Sequence, residues 1–122
     1  TAGAGATLDA ILQSLQDAGL GLVSVPAPGV LTIAGALAVG AHGAALPRTG
    51  ETRIPGTTYG SLSNQVTSLT AVVWSTSANA YVLKTFARSD PAIKPLLTHL
   101  GRAFITSATT RKWSSRGMYP VR

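Results

Sequence analysis

Residues 32–45 read TIAGALAVGAHGAA, a stretch of small residues around a single imidazole, that of His42. Glycine and alanine let a backbone approach a ligand closely, and glycine also permits unusual φ angles. A segment with so little side-chain bulk, ending in one polar ring, suits a large flat ligand. The same pattern fits a core histidine that is hydrogen-bonded to the backbone of a tight turn, and the residues alone leave both interpretations open.

The whole chain has the composition of a folded domain. Apolar residues make up 45% of its 122 residues and charged residues 11%, which excludes a disordered polyelectrolyte. Because the charged fraction is well below the roughly 25% of an ordinary globular protein, the chain resembles the inside of a larger protein, and we expect a fragment. The sequence has no cysteine, which excludes a disulfide framework and a Cys-based metal site.

The net charge of +6 is unevenly distributed. Residues 62–122 contain eight Lys or Arg against Asp90 alone, and four of the eight lie in the last twelve residues. This distribution fits a solvated basic tail or, as an alternative function, a basic module that binds nucleic acid or an anionic surface. The aromatic residues are few and scattered and predict no platform on which bases would stack, so we expect no nucleic-acid partner.

The uncharged residues 18–47 raise the question of a membrane span. Pro26, Pro28 and several glycines interrupt this stretch, and a lipid-exposed helix with such breakers would leave backbone groups unsatisfied. We therefore expect no transmembrane segment. The N-terminus, TAGAG, has neither the basic region nor the apolar core of a signal peptide, and the compartment stays open.

Local signals predict the elements of the first half. Apolar residues at helical spacing, with Thr7 as N-cap and Gly19 as the C-terminal stop, predict a helix over residues 7–18. The other expectations are, in chain order, the end of a strand before this helix, a short strand near 21–25, a proline-rich turn at 26–29, buried backbone over 31–39 and a loop over 47–60.

The second half predicts a β-hairpin, a helix and a last strand. Residues 68–74 and 81–88 are rich in β-forming residues and flank a turn longer than the two-residue type. Asp90 and Pro91 signal the start of a helix. We expect Ile93, Leu96, Leu97 and Leu100 on one face of that helix, Gly101 at its end, and a strand over 102–110 that brings Phe104 and Ile105 into the core.

Few residues suggest catalysis. The four carboxylates are dispersed and there are two histidines, so we expect neither an acid–base pair nor a metal site. A phosphate-binding Gly-x-x-x-x-Gly-Lys-Ser/Thr loop and a Gly-x-Ser-x-Gly nucleophile elbow do not occur in the sequence. We therefore predict no catalytic residue within this chain.

Three stretches taken together resemble a known family. They are PAPGVLTIAGALAVGAHGAALP at 26–47, YGSLSNQV at 59–66 and ITSAT at 105–109. In this order they are similar to the flavin-binding motifs of the vanillyl-alcohol oxidase (para-cresol methylhydroxylase-like, PCMH) superfamily, and within it to the covalent-flavin bacterial cholesterol oxidases. The resemblance implies an α+β fold, the second subdomain of a PCMH-type FAD-binding domain, with a mixed or antiparallel sheet flanked by helices.

The resemblance also implies a cofactor and its contacts. FAD would be bound, with its 8α-methyl carbon joined covalently to His42, and residues 32–36 would cradle the diphosphate with backbone amides. Residues 105–106 would pass near the adenine. The implied cofactor-binding residues are Pro28, Gly29, Thr32, Ile33, Ala34, Gly35, Ala36, Val39, Gly40, Ala41, His42, Gly43, Ser61, Ser63 and Ile105.

The implied function is that of an FAD-binding fragment of a flavin-dependent sterol (cholesterol-type) alcohol oxidase. In that family an earlier βαβ subdomain precedes these motifs and a substrate domain follows them. We therefore expect residues 1–111 to be a partial PCMH-type FAD-binding domain, residues 112–122 to be an unrelated basic tail, and the chain alone to be inactive on sterol. Exposed apolar surface would favour self-association. Members of the family are commonly secreted.

Overall fold

A computed structural model describes residues 1–44, 46, 48–52 and 59–114 of the chain, with Trp113 described by its backbone alone. Much of the loop predicted over 47–60 and most of the predicted tail lie outside these residues. The elements are, in order, strand β1 (Ala2–Gly3), helix α1 (Leu8–Asp17), strand β2 (Leu20–Gly21), helix α2 (Ile33–Ala38), a 3₁₀ helix (Leu62–Gln65), strand β3 (Val66–Ser75), strand β4 (Ala80–Ala87), a 3₁₀ helix (Pro91–Ile93), helix α3 (Lys94–Leu97), strand β5 (Phe104–Thr110) and strand β6 (Trp113–Ser114).

The strands form one antiparallel sheet of four strands in the order β1-β5-β3-β4, and β2 and β6 form a separate antiparallel pair. Residues from α1 and α2 pack against one face of the larger sheet, where Leu69 of β3, Phe86 of β4 and Ile105 of β5 are buried. The predicted α+β class and antiparallel sheet are confirmed.

Helix α1 and the hairpin follow their local signals. Thr7 caps α1 by accepting the N–H of Ala10 at 3.3 Å, and Gly19 takes a φ of 67° just past the C-terminal end. The hairpin keeps an unbroken register from the Ser68–Ala87 pair to the Ser75–Ala80 pair. Four loop residues connect β3 and β4, which confirms the predicted long turn.

Residues 31–39, predicted as buried backbone, contain helix α2 instead. Thr32 caps it, and Ile33, Ala36 and Leu37 are buried at i, i+3 and i+4, which is the spacing of one helical face. Alanine and glycine fill most of the other positions, so the apolar period was difficult to see in the sequence. The strand expected near 21–25 is limited to β2.

The helix predicted to start at Asp90 and Pro91 begins there as the 3₁₀ helix Pro91–Ile93, continues as α3 and ends early. Asp90 accepts the N–H of Ala92 at 2.8 Å, as an N-cap should. The last helical residue is Leu97, and the Arg102 N–H donates to the His99 carbonyl across a turn. Leu100 lies inside that turn at φ 50° with its side chain exposed, so its predicted place on one face of the helix is wrong.

Phe104 was also expected in the core together with Ile105, and this prediction is wrong. Consecutive strand residues point to opposite faces of a sheet, so only one of the two side chains can be buried. Ile105 is 7% exposed and Phe104 is 72% exposed. Among the described residues, no helix is both long enough and apolar enough to cross a membrane.

Candidate cofactor site

The C-terminal end of α2 directs the chain into His42. The Gly40 N–H donates to the Leu37 carbonyl at 3.1 Å, and the Ala41 N–H donates to the Ala36 carbonyl at 2.9 Å. These two bonds form a Schellman motif, in which the residue after the cap adopts the left-handed conformation that favours glycine. Gly40 has a φ of 65°, as this motif requires.

His42 is held by its backbone and exposes its ring. It faces Ser61 in an isolated antiparallel bridge, and the neighbouring Leu62 N–H donates to the Ala41 carbonyl at 2.8 Å. The ring atom Nδ1 lies 3.2 Å from the Gly43 carbonyl oxygen. Because a carbonyl oxygen only accepts, this contact is a hydrogen bond when Nδ1 carries the proton, and in the neutral ring the lone pair is then on Nε2. The imidazole is exposed, so it is not the core histidine that the sequence left open.

Gly43 fixes the next step of the chain. Its N–H donates to the Ser24 hydroxyl at 3.2 Å. A Cβ at Gly43 would lie 2.8 Å from that hydroxyl oxygen, 2.9 Å from the Val25 nitrogen and closer still to the Val25 carbonyl oxygen. The Ser24 carbonyl in turn accepts from Nε2 of the fully buried Gln65 at 2.7 Å. The turn after His42 is therefore anchored to the protein interior.

The outward side of α2 carries little bulk. Thr32, Gly35 and Val39 are exposed along it, and Val39 adds one exposed apolar side chain. We call these three residues the α2 strip. The strip precedes the His42 turn and offers a shallow apolar surface to a flat ligand.

The first amides of α2 are already engaged within the chain. The N–H groups of Ile33 and Ala34 donate to the Ala6 and Ala4 carbonyls at 2.9 and 3.2 Å. Those of Gly35 and Ala36 donate to the Thr32 side chain and to its carbonyl, respectively. The predicted diphosphate cradle over residues 32–36 is therefore not supplied by free amides in this conformation.

Four predicted contact residues have buried side chains, namely Ile33, Ala36, Ser63 and Ile105. The Ser63 hydroxyl donates to the Leu97 carbonyl, and Ser63 contributes its N–H to the Ser61 hydroxyl at 3.0 Å. Ser61 thus caps the 3₁₀ helix, whereas Ser63 ties that helix to α3. These four side chains therefore lie in the protein interior and do not themselves form the exposed surface of the site.

Pro28 and Gly29 lie along the first turn of α1. The Gly29 carbonyl accepts the Asp9 N–H at 2.9 Å, and a Cβ at Gly29 would fall on the Asp9 carboxylate. Pro28 is exposed. Pro28 and Gly29 take no part in the hydrogen bonds that join the His42 turn, residues 40–43, to Ser61 and Ser24.

The turn after α3 forms a brace against α2 that could not be predicted from the sequence. The Leu100 N–H donates to the Ala38 carbonyl at 2.8 Å, and the Thr98 methyl group lies 3.3 Å from the Cβ position of Gly40. His99 is buried, its Nδ1 accepts the Ala103 N–H at 3.3 Å, and its Nε2 has no partner among the described residues. These contacts join residues far apart in the chain, and no local sequence motif predicts them.

The described residues contain no group of three or more His, Asp or Glu that is placed to hold a metal ion. The chemistry of the site thus rests on one exposed imidazole, its fixed turn and the α2 strip.

Solved structures match nearly the whole chain. A crystal structure of cholesterol oxidase from Brevibacterium sterolicum is 60% identical with a TM-score of 0.84, over 90% of this chain and 20% of that one. A histidine-to-alanine mutant of the same enzyme matches equally well. A structure described as a solvent-stable cholesterol oxidase is 51% identical with a TM-score of 0.88, over 93% of this chain and 21% of that one.

The chain therefore spans about a fifth of the length of the oxidases it matches. No family model matches it, and a search of curated proteins gives no match.

Proposed function

We propose that this chain is an FAD-binding part of a flavin-dependent sterol oxidase. It is homologous to bacterial cholesterol oxidases over about one fifth of their length. It would form the second subdomain of a PCMH-type flavin domain. The observation that carries the proposal is the exposed His42 ring on a turn anchored by Ser61 and Ser24. A polar ring on so rigid a backbone is suited to a fixed attachment point.

The residues at the site fit a bound flavin. The α2 strip offers a flat surface without charge, and Gly43 brings the backbone close to the interior where a side chain would not fit. A covalent bond to the flavin 8α-methyl carbon needs a neutral imidazole nitrogen with a free lone pair. In the neutral ring, the contact between Nδ1 of His42 and the Gly43 carbonyl leaves the lone pair on Nε2.

The chain's own residues act by positioning. When bound, FAD supplies the acceptor for the hydride of the alcohol. His42 holds one end of the ring system, and the Schellman turn and the Ser61 bridge hold His42. Precise placement of reacting groups contributes several kcal/mol to catalysis, on the order of 7–11 in favourable cases.

We further propose that the chain alone does not oxidise sterol. It matches about a fifth of the oxidases, and the rest of such an enzyme would provide the sterol pocket and the other wall of the cofactor cleft. The purified 122-residue chain is expected to give no flavin-dependent peroxide from cholesterol. Peroxide above a flavin-free control would contradict this expectation.

Binding of FAD can be tested by titrating the chain and following the quenching of flavin fluorescence. We expect saturable quenching, and we expect Val39→Asp on the α2 strip to weaken binding by about tenfold, or about 1.4 kcal/mol, because a carboxylate makes the apolar surface hydrophilic and repels a negatively charged cofactor. Leu83→Asp, at an exposed apolar position on β4, is the matched control and should bind like the parent. Equal weakening by both substitutions, or no quenching by the parent, would contradict the proposed site.

A further inference from the structure

A buried glutamine lies behind the His42 turn. Gln65 is the last residue of the 3₁₀ helix Leu62–Gln65 and is fully buried, although glutamine is mostly exposed in proteins. Its side-chain Nε2 donates to the Ser24 carbonyl at 2.7 Å, and its backbone carbonyl accepts the Arg111 N–H at 2.7 Å. The side chain is thus held in one direction, toward the segment that anchors the turn.

Three successive hydrogen bonds connect Gln65 to the ring of His42. Gln65 donates to the carbonyl of Ser24, the hydroxyl of Ser24 accepts the Gly43 N–H at 3.2 Å, and the Gly43 carbonyl oxygen lies 3.2 Å from Nδ1 of His42. The hydrogen bond that one ring nitrogen makes sets which nitrogen of a neutral histidine carries the proton. Gln65 therefore acts on the residue that selects the tautomer of His42.

The same 3₁₀ helix also holds the other side of His42. At its start, Ser61 faces His42 in the antiparallel bridge, and the Leu62 N–H donates to the Ala41 carbonyl at 2.8 Å. The helix is fixed in turn, because the Arg88 guanidinium donates to the Ser63 carbonyl at 2.8 Å. One rigid element thus contacts the residues on both sides of the His42 ring, directly at its start and through Ser24 at its end.

Gln65 contributes little to stability. Its Oε1 is buried and has no hydrogen-bond partner among the described residues, and a buried acceptor without a partner offsets the gain from the bond made by Nε2. Methionine at this position would exchange one unpaired acceptor, Oε1, for another, the Ser24 carbonyl. Its unbranched side chain adapts to irregular space in a core. A glutamine here is therefore better explained by the geometry it imposes than by the energy it contributes.

We propose that Gln65 is a positioning residue for His42. Acting through Ser24 and Gly43, it keeps the proton of the neutral ring on Nδ1 and the lone pair on the exposed side, at Nε2. The inference rests on the proposed function, in which Nε2 is the nitrogen offered to the flavin. It adds a buried residue, distant from the exposed surface, to those that hold the attachment point.

The test replaces Gln65 with methionine and follows the ring nitrogens of His42 by ¹⁵N NMR in the purified chain without FAD. The two nitrogens of a neutral imidazole have different shifts, so the spectrum gives the ratio of the Nδ1–H to the Nε2–H tautomer. His99, whose Nδ1 accepts the Ala103 N–H, is an internal reference for the opposite tautomer. Gln13→Met, at an exposed glutamine that donates to Asp17, is the matched control, and urea denaturation measures stability.

We expect the parent and the control to have His42 mainly in the Nδ1–H form. Gln65→Met should lower the ratio of Nδ1–H to Nε2–H by about tenfold, as loss of an outer hydrogen-bond partner does at other histidine sites, with a urea midpoint close to that of the parent. An unchanged ratio in Gln65→Met would overturn the proposal. A ratio that falls only together with the urea midpoint would make Gln65 a structural residue and would overturn it as well.

Ser24→Ala tests the route, because it removes the acceptor of the Gly43 N–H. If Gln65 acts through Ser24, the double variant should change the tautomer ratio no more than the larger of the two single changes, since residues in one hydrogen-bond network are not additive. Additive changes would overturn the route. Failure of the parent to bind FAD would contradict the proposed function alone, because the NMR comparison contains no FAD.

Discussion

Gly43 donates its backbone N–H to the Ser24 hydroxyl at 3.2 Å, at a point where the Val25 backbone leaves no room for a side chain. Gly43→Ala should therefore lower the free energy of unfolding by about 1–3 kcal/mol, as overpacking of a fixed backbone does. Urea denaturation measures this loss. Gly5→Ala, where a Cβ meets nothing within 4 Å, is the control and should stay close to the parent; equal midpoints for the two variants would contradict the packing described here.

Capping of α2 is tested at Thr32. Its hydroxyl accepts the Gly35 N–H at 3.3 Å, so Thr32→Ala should destabilise the chain by about 1 kcal/mol. Thr32→Ser keeps an acceptor at the same place and should recover most of the loss. Thermal unfolding of the parent and the two variants measures these differences in stability. A serine variant as unstable as the alanine variant would exclude loss of the cap as the cause of the destabilisation.

Ser63 tests the tie between the 3₁₀ helix and α3. The buried Ser63 hydroxyl donates to the Leu97 carbonyl, and its loss leaves that carbonyl without this donor. Ser63→Ala should cost about 1–2 kcal/mol in chemical denaturation. Ser77→Ala removes an exposed hydroxyl in the hairpin loop and should cost less than about 0.5 kcal/mol, so similar losses at both positions would argue against the tie.

Replacing Leu100 with glycine should stabilise the chain. It holds a φ of 50° with its side chain exposed, and a left-handed backbone costs a residue other than glycine about 1–2 kcal/mol. Leu100→Gly should therefore raise the free energy of unfolding by about 0.5–1 kcal/mol, after the greater freedom of glycine in the unfolded chain is counted. Leu83→Gly, in extended strand backbone, should lower it, and a loss at both positions would contradict the strained turn.

Elements with strong local signals could be predicted from the sequence. Thr7 and Gly19 bound α1, Asp90 begins the segment that leads into α3, and β-forming residues around a long turn mark the hairpin. Each depends on residues within a few positions of one another. The His42 turn was also found, because glycines on either side of one polar ring are visible in a single line of sequence.

Features that depend on distant partners could not be predicted. The face on which Phe104 lies is set by its pairing with Val72, and no pattern within β5 states that register. The amides of Ile33 and Ala34 are taken by carbonyls near the N-terminus, which a motif read in isolation leaves free for an anion. The brace at Leu100 and Thr98 likewise appears only when the chain folds back on α2.

Acid precipitation measures whether flavin is attached covalently to His42. The chain is incubated with FAD, precipitated with acid and washed, and the visible flavin absorbance of the redissolved pellet is compared between the parent and His42→Ala. We expect flavin that stays with the parent pellet and is absent from the variant, and we expect mass spectrometry to find the flavin on the peptide that contains His42. Flavin released entirely into the supernatant by the parent, or retained equally by His42→Ala, would contradict this expectation.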